Sequence, residues 1–210
     1  RFTLMILNLF VRTLALNFAL YLATSFATKY GEHYIAAYTI AINLWFLGAF
    51  IIDGYASAGN ILSGKLLGAK DYCNLINLSN KLIKYGSIVG LTIGSIGALF
   101  YYPIGRIFTN DTAVLDAFYS VFWMVLAMQP LCALAFIFDG VFKGLGKMKY
   151  LRNLLLISTL FVFFPVIKYT DALDYKLHGI FIAFLLWIVA RGIPLIIKFR
   201  KTFKPLAQNT

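Results

Sequence analysis

The sequence contains few charged residues. Only 13% of its 210 residues are Asp, Glu, Lys or Arg, and only eight are acidic. A soluble globular domain carries about 25% charged residues, whereas 61% of this chain is hydrophobic and its mean hydropathy is +0.81. The shortage of charge therefore excludes an ordinary soluble protein and predicts an integral membrane protein.

Cysteine and histidine are also scarce, with two of each. Cys73 falls in a segment that we assign to the cytosol and Cys132 in an apolar segment, so neither predicts a disulfide. His33 and His178 fall in loops that we place outside the membrane, which leaves no nucleophile and base together at membrane depth. The sequence therefore predicts no enzyme, no metal site and no cofactor.

Six stretches lack charge altogether: 13–28, 33–52, 85–105, 117–138, 153–167 and 177–190. A bilayer core needs about 20 apolar residues per helix, and the two shortest stretches reach that length only if flanking Lys and Arg side chains extend to the headgroups. We predict an all-α polytopic membrane protein, a bundle of six transmembrane helices at about 4–28, 33–63, 80–104, 114–140, 149–168 and 176–198. Four spans with two re-entrant or interfacial helices are the alternative.

The basic residues are distributed unevenly between the predicted loops. If the chain starts in the cytosol, four basic residues fall in outer segments and thirteen in cytosolic ones. The thirteen are Arg1, Lys65, Lys70, Lys81, Lys84, Lys143, Lys147, Lys149, Arg152, Lys198, Arg200, Lys201 and Lys204. This asymmetry predicts a multi-pass protein of the cell inner (plasma) membrane with both termini cytosolic. Anionic lipid explains the net charge of +11, so no nucleic-acid partner is predicted.

One stretch resembles a phosphate-binding loop. Gly59, Gly64 and Lys65 match the spacing G-x-x-x-x-G-K, in which backbone amides and a lysine surround phosphates. Leu66 stands where Ser or Thr would hold magnesium, and the preceding residues are typical of a long helix rather than a strand. We therefore reject a nucleotide site here.

Four ionisable residues are expected at membrane depth, away from the ends of their spans: Arg12, Asp53, Asp139 and Arg191. Such residues are costly in a bilayer and are functional candidates by default. Arg12 and Arg191 are close enough to the cytosolic ends of their spans for their long side chains to reach the headgroups, and we favour that explanation for both. Two explanations are open for Asp139. It forms an ion pair with Lys143, one turn further on, or it has a role in transport.

Asp53 lies too deep for its short side chain to leave the membrane. It precedes Lys65 by twelve residues, which is about 18 Å along a helix. Ser57, Asn60 and Gly64 follow on the same helix face, and this polar stripe predicts a water-lined cavity. The alternative is a structural role in which Asp53 hydrogen-bonds Ser57, Asn60 or a neighbouring helix.

The two membrane aspartates share a local pattern, FIIDG at 50–54 and FIFDG at 136–140. The likeness is too short to establish an internal repeat. We predict that the substrate or the coupling cation is bound by residues of these segments, with the two arginines as weaker candidates. The favoured residues are Asp53, Ser57, Asn60 and Asp139, and the weaker ones are Arg12 and Arg191.

Several motifs resemble multidrug and toxic compound extrusion (MATE) transporters. NILSGKLLGAKD at 60–71 resembles their G-Q-x-x-G-A signature, IFTNDTAVLDA at 107–117 their I-F-T-x-D-x-x-V motif, and DGVFKGLGKMKYLRN at 139–153 the segment between their tenth and eleventh helices. NLFVRTLALNFALYLATSFATKYG at 8–31 resembles the seventh helix of the DinF-type branch. Their order matches the C-terminal six-helix lobe, with the departure that Lys65 stands where the family has glutamine.

The resemblance implies two six-helix lobes around a central cavity and cation-coupled export of drugs or other amphipathic, often cationic, compounds. H+ or Na+ would be the coupling ion, and the partners would be the lipid bilayer, a small-molecule substrate and an N-terminal lobe absent from this chain. The coupling acid attributed to the first helix of the DinF-type branch would lie in that absent lobe. The alternatives are a lipid-linked saccharide flippase of the same superfamily and a self-assembling membrane channel or scaffold.

Overall fold

The computed structural model describes residues 2–208, and within that range the chain forms α-helices and no strand. The helices are α1 Phe2–Lys29, α2 Glu32–Gly68, α3 Tyr72–Leu99, α4 Tyr101–Phe108, α5 Thr112–Gly144, α6 Met148–Ser158, α7 Phe164–Ala172 and α8 Lys176–Gln208. A π-helical turn, Thr159–Phe163, joins α6 to α7. Arg1, one of the thirteen basic residues assigned to the cytosol, lies outside the described residues.

Six segments are long and apolar enough to cross a membrane: Ile6–Lys29, Glu32–Gly68, Tyr72–Leu99, Thr112–Gly144, Met148–Ala172 and Lys176–Gln208. The fifth of these contains α6, the π-helical turn and α7 as one continuous span. Pro165 follows that turn and has no N–H to donate, which accounts for the local break in the regular α-helical bonding. The prediction of an all-α bundle with six spans is confirmed.

The helix ends differ from the predicted ones where polar residues extend a helix beyond its apolar stretch. The third helix was expected at 80–104 but begins at Tyr72 and ends at Leu99, and the separate helix α4 follows it. Asp71 fixes the start of α3, because its carboxylate accepts hydrogen bonds from the Asn74 side chain (2.7 Å) and backbone N–H (3.0 Å). These bonds hold the pKa of Asp71 below its usual value.

The six spans alternate in direction and bring the loops together at two ends. We call one end the basic end: it contains the loops 69–71 and 145–147 and the last turns of α8. The loops 30–31, 109–111 and 173–175 form the opposite end. Residues 59–66 belong to the continuous helix α2, which agrees with the rejection of a phosphate-binding loop there.

Helix α5 is the centre of the bundle and packs against α2, α3 and α8. The contact with α2 is close because Gly140 and Gly144 of α5 lie directly against the backbone of Ala56 and Asn60. Helix α1, in contrast, lies at one side of the bundle. It buries a stripe of alanines spaced four residues apart, Ala15, Ala19, Ala23 and Ala27, and much of the rest of its surface is uncovered.

Candidate functional site

Helices α1 and α2 carry a row of uncovered polar side chains within their membrane-spanning segments. We call it the open polar face, and it consists of Thr13, Asn17, Thr24, Thr28, Thr39, Asn43, Asp53 and Ser57, all of them exposed. Four of its threonines donate a hydrogen bond to the carbonyl four residues earlier in their own helix. Those bonds leave the hydroxyl oxygens free to accept from a ligand or from water.

The predicted stripe on α2 is open at one end and covered at the other. Asp53 and Ser57 are exposed, whereas Asn60 is half-buried and Gly64 faces the carbonyl oxygen of Gly144. The alternative in which Asp53 bonds to a neighbouring side chain has no support in the structure, because within residues 2–208 its carboxylate has no hydrogen-bond or ion-pair partner.

Asp139 is the centre of a buried charge cluster. Only 5% of the residue is exposed, and its Oδ2 accepts from Arg12 Nη2 at 2.6 Å and lies 3.0 Å from Lys143 Nζ. The predicted pair with Lys143 is confirmed. The expectation that Arg12 reaches the headgroups is wrong: its guanidinium turns inward to Asp139, because a buried carboxylate is stable only when it is paired.

Arg191 also differs from its expected position. It is 3% exposed, and its guanidinium lies 5.0 Å from the ring centre of Trp187 and 5.3 Å from that of Phe136. Helix α8 continues to Gln208, beyond the predicted end at 198, so Arg191 is about 25 Å along the helix from its last residue. The rings that cover the guanidinium account for its burial, because the last turns of α8 belong to the basic end and add no depth in the membrane.

A pocket of about 80 Å³ lies beside Arg191, between α1, α2, α5 and α8. We call it the aromatic pocket; it is lined by Leu16, Leu20, Trp45, Phe46, Ala49, Phe136, Trp187 and Arg191. A buried hydrogen bond holds one wall of the pocket, because Trp187 Nε1 donates to Thr159 Oγ1 at 3.1 Å. The pocket thus combines one buried cation with an apolar, largely aromatic lining.

Sequence reasoning missed the pairing of Arg12 with Asp139 because the two residues are 127 positions apart. No spacing rule links residues on different helices. One signal was available: charges inside spans commonly pair with a charge of opposite sign, and the structure brings both arginines near one of the two aspartates. Trp45 and Trp187 gave no sequence signal, since aromatic residues are frequent throughout the chain.

The arrangement can bind and release charged molecules but offers little for covalent chemistry. Both histidines lie near the end opposite the basic end, far along the helices from Asp53 and Asp139. Among the described residues no group of three His, Cys, Asp or Glu side chains is placed to hold a metal ion.

Comparison with known proteins identifies one family. The model of the MatE family matches residues 9–167. Protein DETOXIFICATION 42 of Arabidopsis thaliana is 31% identical over 143 residues, which are 68% of this chain and 28% of that protein. DNA damage-inducible protein F of Escherichia coli (strain K12) is 24% identical over 147 residues, which are 70% of this chain and 32% of that protein.

A solved structure has the same fold. It is the outward-facing conformation of a multidrug resistance MATE family transporter of the MOP superfamily, with a TM-score of 0.84 and 20% sequence identity over 94% of this chain. The match covers 45% of that transporter, so the chain spans less than half the length of these relatives. The resemblance to MATE transporters is confirmed, whereas the matches do not single out the DinF-type branch, since plant proteins are more similar in sequence than the bacterial one.

Proposed function

This chain belongs to the MatE family of membrane transporters, and we propose that it forms the C-terminal lobe of a secondary active efflux transporter. The family consists of transporters that need no cofactor, and membership confirms the prediction that the protein is not an enzyme. In this proposal residues 1–210 are one lobe, an N-terminal lobe completes the transporter, and the lipid bilayer and a small-molecule substrate are its other partners.

The open polar face supports this proposal most directly. Uncovered polar side chains are unfavourable against lipid and occur at membrane depth where they contact protein or water. A second lobe placed opposite α1 and α2 would enclose a water-filled cavity between the two polar surfaces. Asp53 would line that cavity, and it is the one acidic side chain of the open polar face.

We assign Asp53, rather than Asp139, to proton uptake or cation binding. Its carboxylate is exposed and lacks a partner in the described part of the chain, while Asp139 is already neutralised by Arg12 and Lys143. Ser57 and Asn60 would supply further oxygen atoms for H+ or Na+ on the same helix face. The uptake of a cation at Asp53 would be linked to the conformational change that moves the substrate.

The substitution Asp53→Asn in the complete transporter tests the assignment, because it removes the charge while keeping size and hydrogen bonding. We expect a folded protein whose efflux is lost or no longer responds to pH. Asp116→Asn is the matched control, since Asp116 is also exposed but lies near the first turn of α5, at the end opposite the basic end. Normal efflux with an unchanged pH profile in Asp53→Asn would overturn the assignment.

We further propose that the basic end faces the cytosol and that both ends of this lobe's chain lie on that side of the plasma membrane. The concentration of lysine and arginine at that end supports this orientation. Anionic lipids of the cytosolic leaflet would attract the same surface.

A further inference from the structure

Three cations and one carboxylate share the interior of the lobe. Asp139 contacts Arg12 and Lys143, and Arg191 interacts electrostatically with both Asp139 and Arg12. Three positive groups and one negative group leave a formal excess of two positive charges, one of which can be offset by solvent because the Lys143 side chain is 29% exposed. In residues 2–208 Arg191 forms no ion pair of its own. Excess charge of one sign is strongly unfavourable in a low-dielectric interior, so the cluster favours a further anion.

The hydrogen-bond donors of the two arginines point to the same conclusion. Arg12 Nε and Arg191 Nε are buried and have no hydrogen-bond partner among the residues that the structure describes. Buried polar atoms in folded proteins are almost always bonded, and an exception requires an explanation. An oxyanion beside Arg191 would supply what that guanidinium lacks, because a guanidinium binds carboxylates and phosphates through parallel N–H donors.

The aromatic pocket determines what kind of anion fits. Its lining is apolar apart from Arg191 and its volume is about 80 Å³, so it admits one charged group together with the nearest part of an apolar body. Aromatic rings also attract cations, but Arg191 already occupies the faces of Phe136 and Trp187. A cationic ligand would have to approach a site that holds an unpaired guanidinium.

We propose that the aromatic pocket binds the carboxylate, phosphate or sulfonate group of an amphipathic substrate through Arg191, and that the exported substrate is an organic anion rather than an organic cation. The inference rests on the proposed transport function and names the substrate class of the same lobe. Asp139, which interacts electrostatically with Arg191, would repel the bound anion. Loss of the Asp139 charge should therefore strengthen binding.

Tryptophan fluorescence provides a direct binding assay, because Trp45 and Trp187 both line the pocket. The probes are 4-bromobenzoate and 4-bromobenzyltrimethylammonium, which have similar apolar bodies and opposite charges, and whose bromine quenches nearby tryptophan. The complete transporter, purified in detergent, is titrated with each probe. We expect saturable quenching by the carboxylate and none by the ammonium compound.

Three substitutions test the roles of the charges. Arg191→Met should weaken carboxylate binding by about tenfold or more, and Arg191→Lys, which keeps the charge, should weaken it less. Asp139→Asn should tighten carboxylate binding, whereas at a cation site the same change would abolish binding. Arg200→Met is the matched control, because Arg200 is exposed on the same helix and should leave affinity unchanged. If Arg191→Met does not fold, the inference is still tested by the other two variants, because Arg191→Lys should weaken carboxylate binding and Asp139→Asn should tighten it.

Tight binding of the ammonium probe, absence of carboxylate binding, or weaker carboxylate binding in Asp139→Asn would each overturn the inference. The second of these results is also expected if an acid of the N-terminal lobe already pairs with Arg191. Competition by phosphatidylglycerol but not by phosphatidylcholine would support the anion site and identify a lipid headgroup as its occupant, whereas competition by neither lipid would support a free organic acid.

Transport measurements separate this inference from the proposed function. Proton- or sodium-coupled efflux of cationic dyes without carboxylate binding would leave the transporter proposal standing and refute the anion site. Saturable carboxylate binding with the expected variant effects, but without coupled movement of any probe in liposomes, would support the anion site and refute the transporter proposal.

Discussion

The matching segments FIIDG and FIFDG permit a test of how the helices pack, because the same substitution should have opposite effects in the two. Gly54 of α2 has open space around the position of a side chain, whereas a Cβ at Gly140 of α5 would overlap the carbonyl oxygen of Ala56 and lie 2.9 Å from its carbonyl carbon. We expect Gly54→Ala to leave stability unchanged or raise it, and Gly140→Ala to lower it.

The size of the effect follows from the geometry. Carbon atoms pack at about 3.5 Å or more, so α2 and α5 would have to separate by at least about 0.6 Å at Ala56. The clash involves backbone atoms and cannot be relieved by a change of rotamer. Overpacking of this kind costs about 1–3 kcal/mol, while the gain in helix propensity from glycine to alanine, up to about 1 kcal/mol, is common to both sites and cancels in the comparison.

Thermal denaturation of the two purified variants in the same detergent measures the difference. For a chain of about this length, 1 kcal/mol corresponds to about 2–4 °C in Tm, so Gly140→Ala should melt about 2–12 °C below Gly54→Ala. Gly144→Ala, whose Cβ would overlap the carbonyl oxygen of Asn60, should behave like Gly140→Ala. Equal melting temperatures for the Gly54 and Gly140 variants would refute the close contact between α2 and α5.

Three further predictions concern orientation, the opposite end and completeness. Cys73 is exposed at the basic end, so in intact cells it should react with a membrane-permeant thiol reagent and not with an impermeant one. Labelling by the impermeant reagent would refute the proposed orientation. Lys29 Nζ lies 2.8 Å from Asp171 Oδ2 but is 62% exposed, so Asp171→Asn should lower stability by less than about 1 kcal/mol. That difference should shrink in high salt, and a salt-independent loss would contradict a screened surface pair. Residues 1–210 alone should show no drug-stimulated H+ or Na+ flux in liposomes, because one lobe provides one wall of a cavity; such flux would favour the self-assembling alternative.

The number and approximate position of the membrane spans could be predicted from the sequence because they depend on local composition. An uncharged stretch of sufficient length forms a helix in lipid whatever surrounds it, and the six spans follow from that rule. The ends could not be predicted as well. Helix α3 starts at Tyr72 because Asp71 caps it, and the polar residues of its first turns, Asn74, Asn77 and Ser79, are helical without being apolar.

The candidate site could be predicted only in part, because its contacts join different helices. Depth along α2 singled out Asp53 as a candidate, and its role stays a prediction. The i,i+4 spacing identified the pair of Asp139 with Lys143. The contact between Arg12 and Asp139 depends on how α1 lies against α5. A snorkelling explanation was reasonable for each arginine considered alone, and it failed because a carboxylate and aromatic rings were available inside the bundle.

The segments FIIDG and FIFDG show why the local sequence could not predict whether an aspartate is exposed or is buried and paired. Asp53 and Asp139 occur in almost identical surroundings along the chain, yet Asp53 is exposed and Asp139 is buried among cations. The difference comes from the helices: α5 has neighbours on several sides, whereas the Asp53 face of α2 is uncovered. A carboxylate on the central helix must find a cation within the lobe, and one on the uncovered face remains available to a proton, an ion or a substrate. Position in the bundle therefore supports the different roles that we propose for the two aspartates.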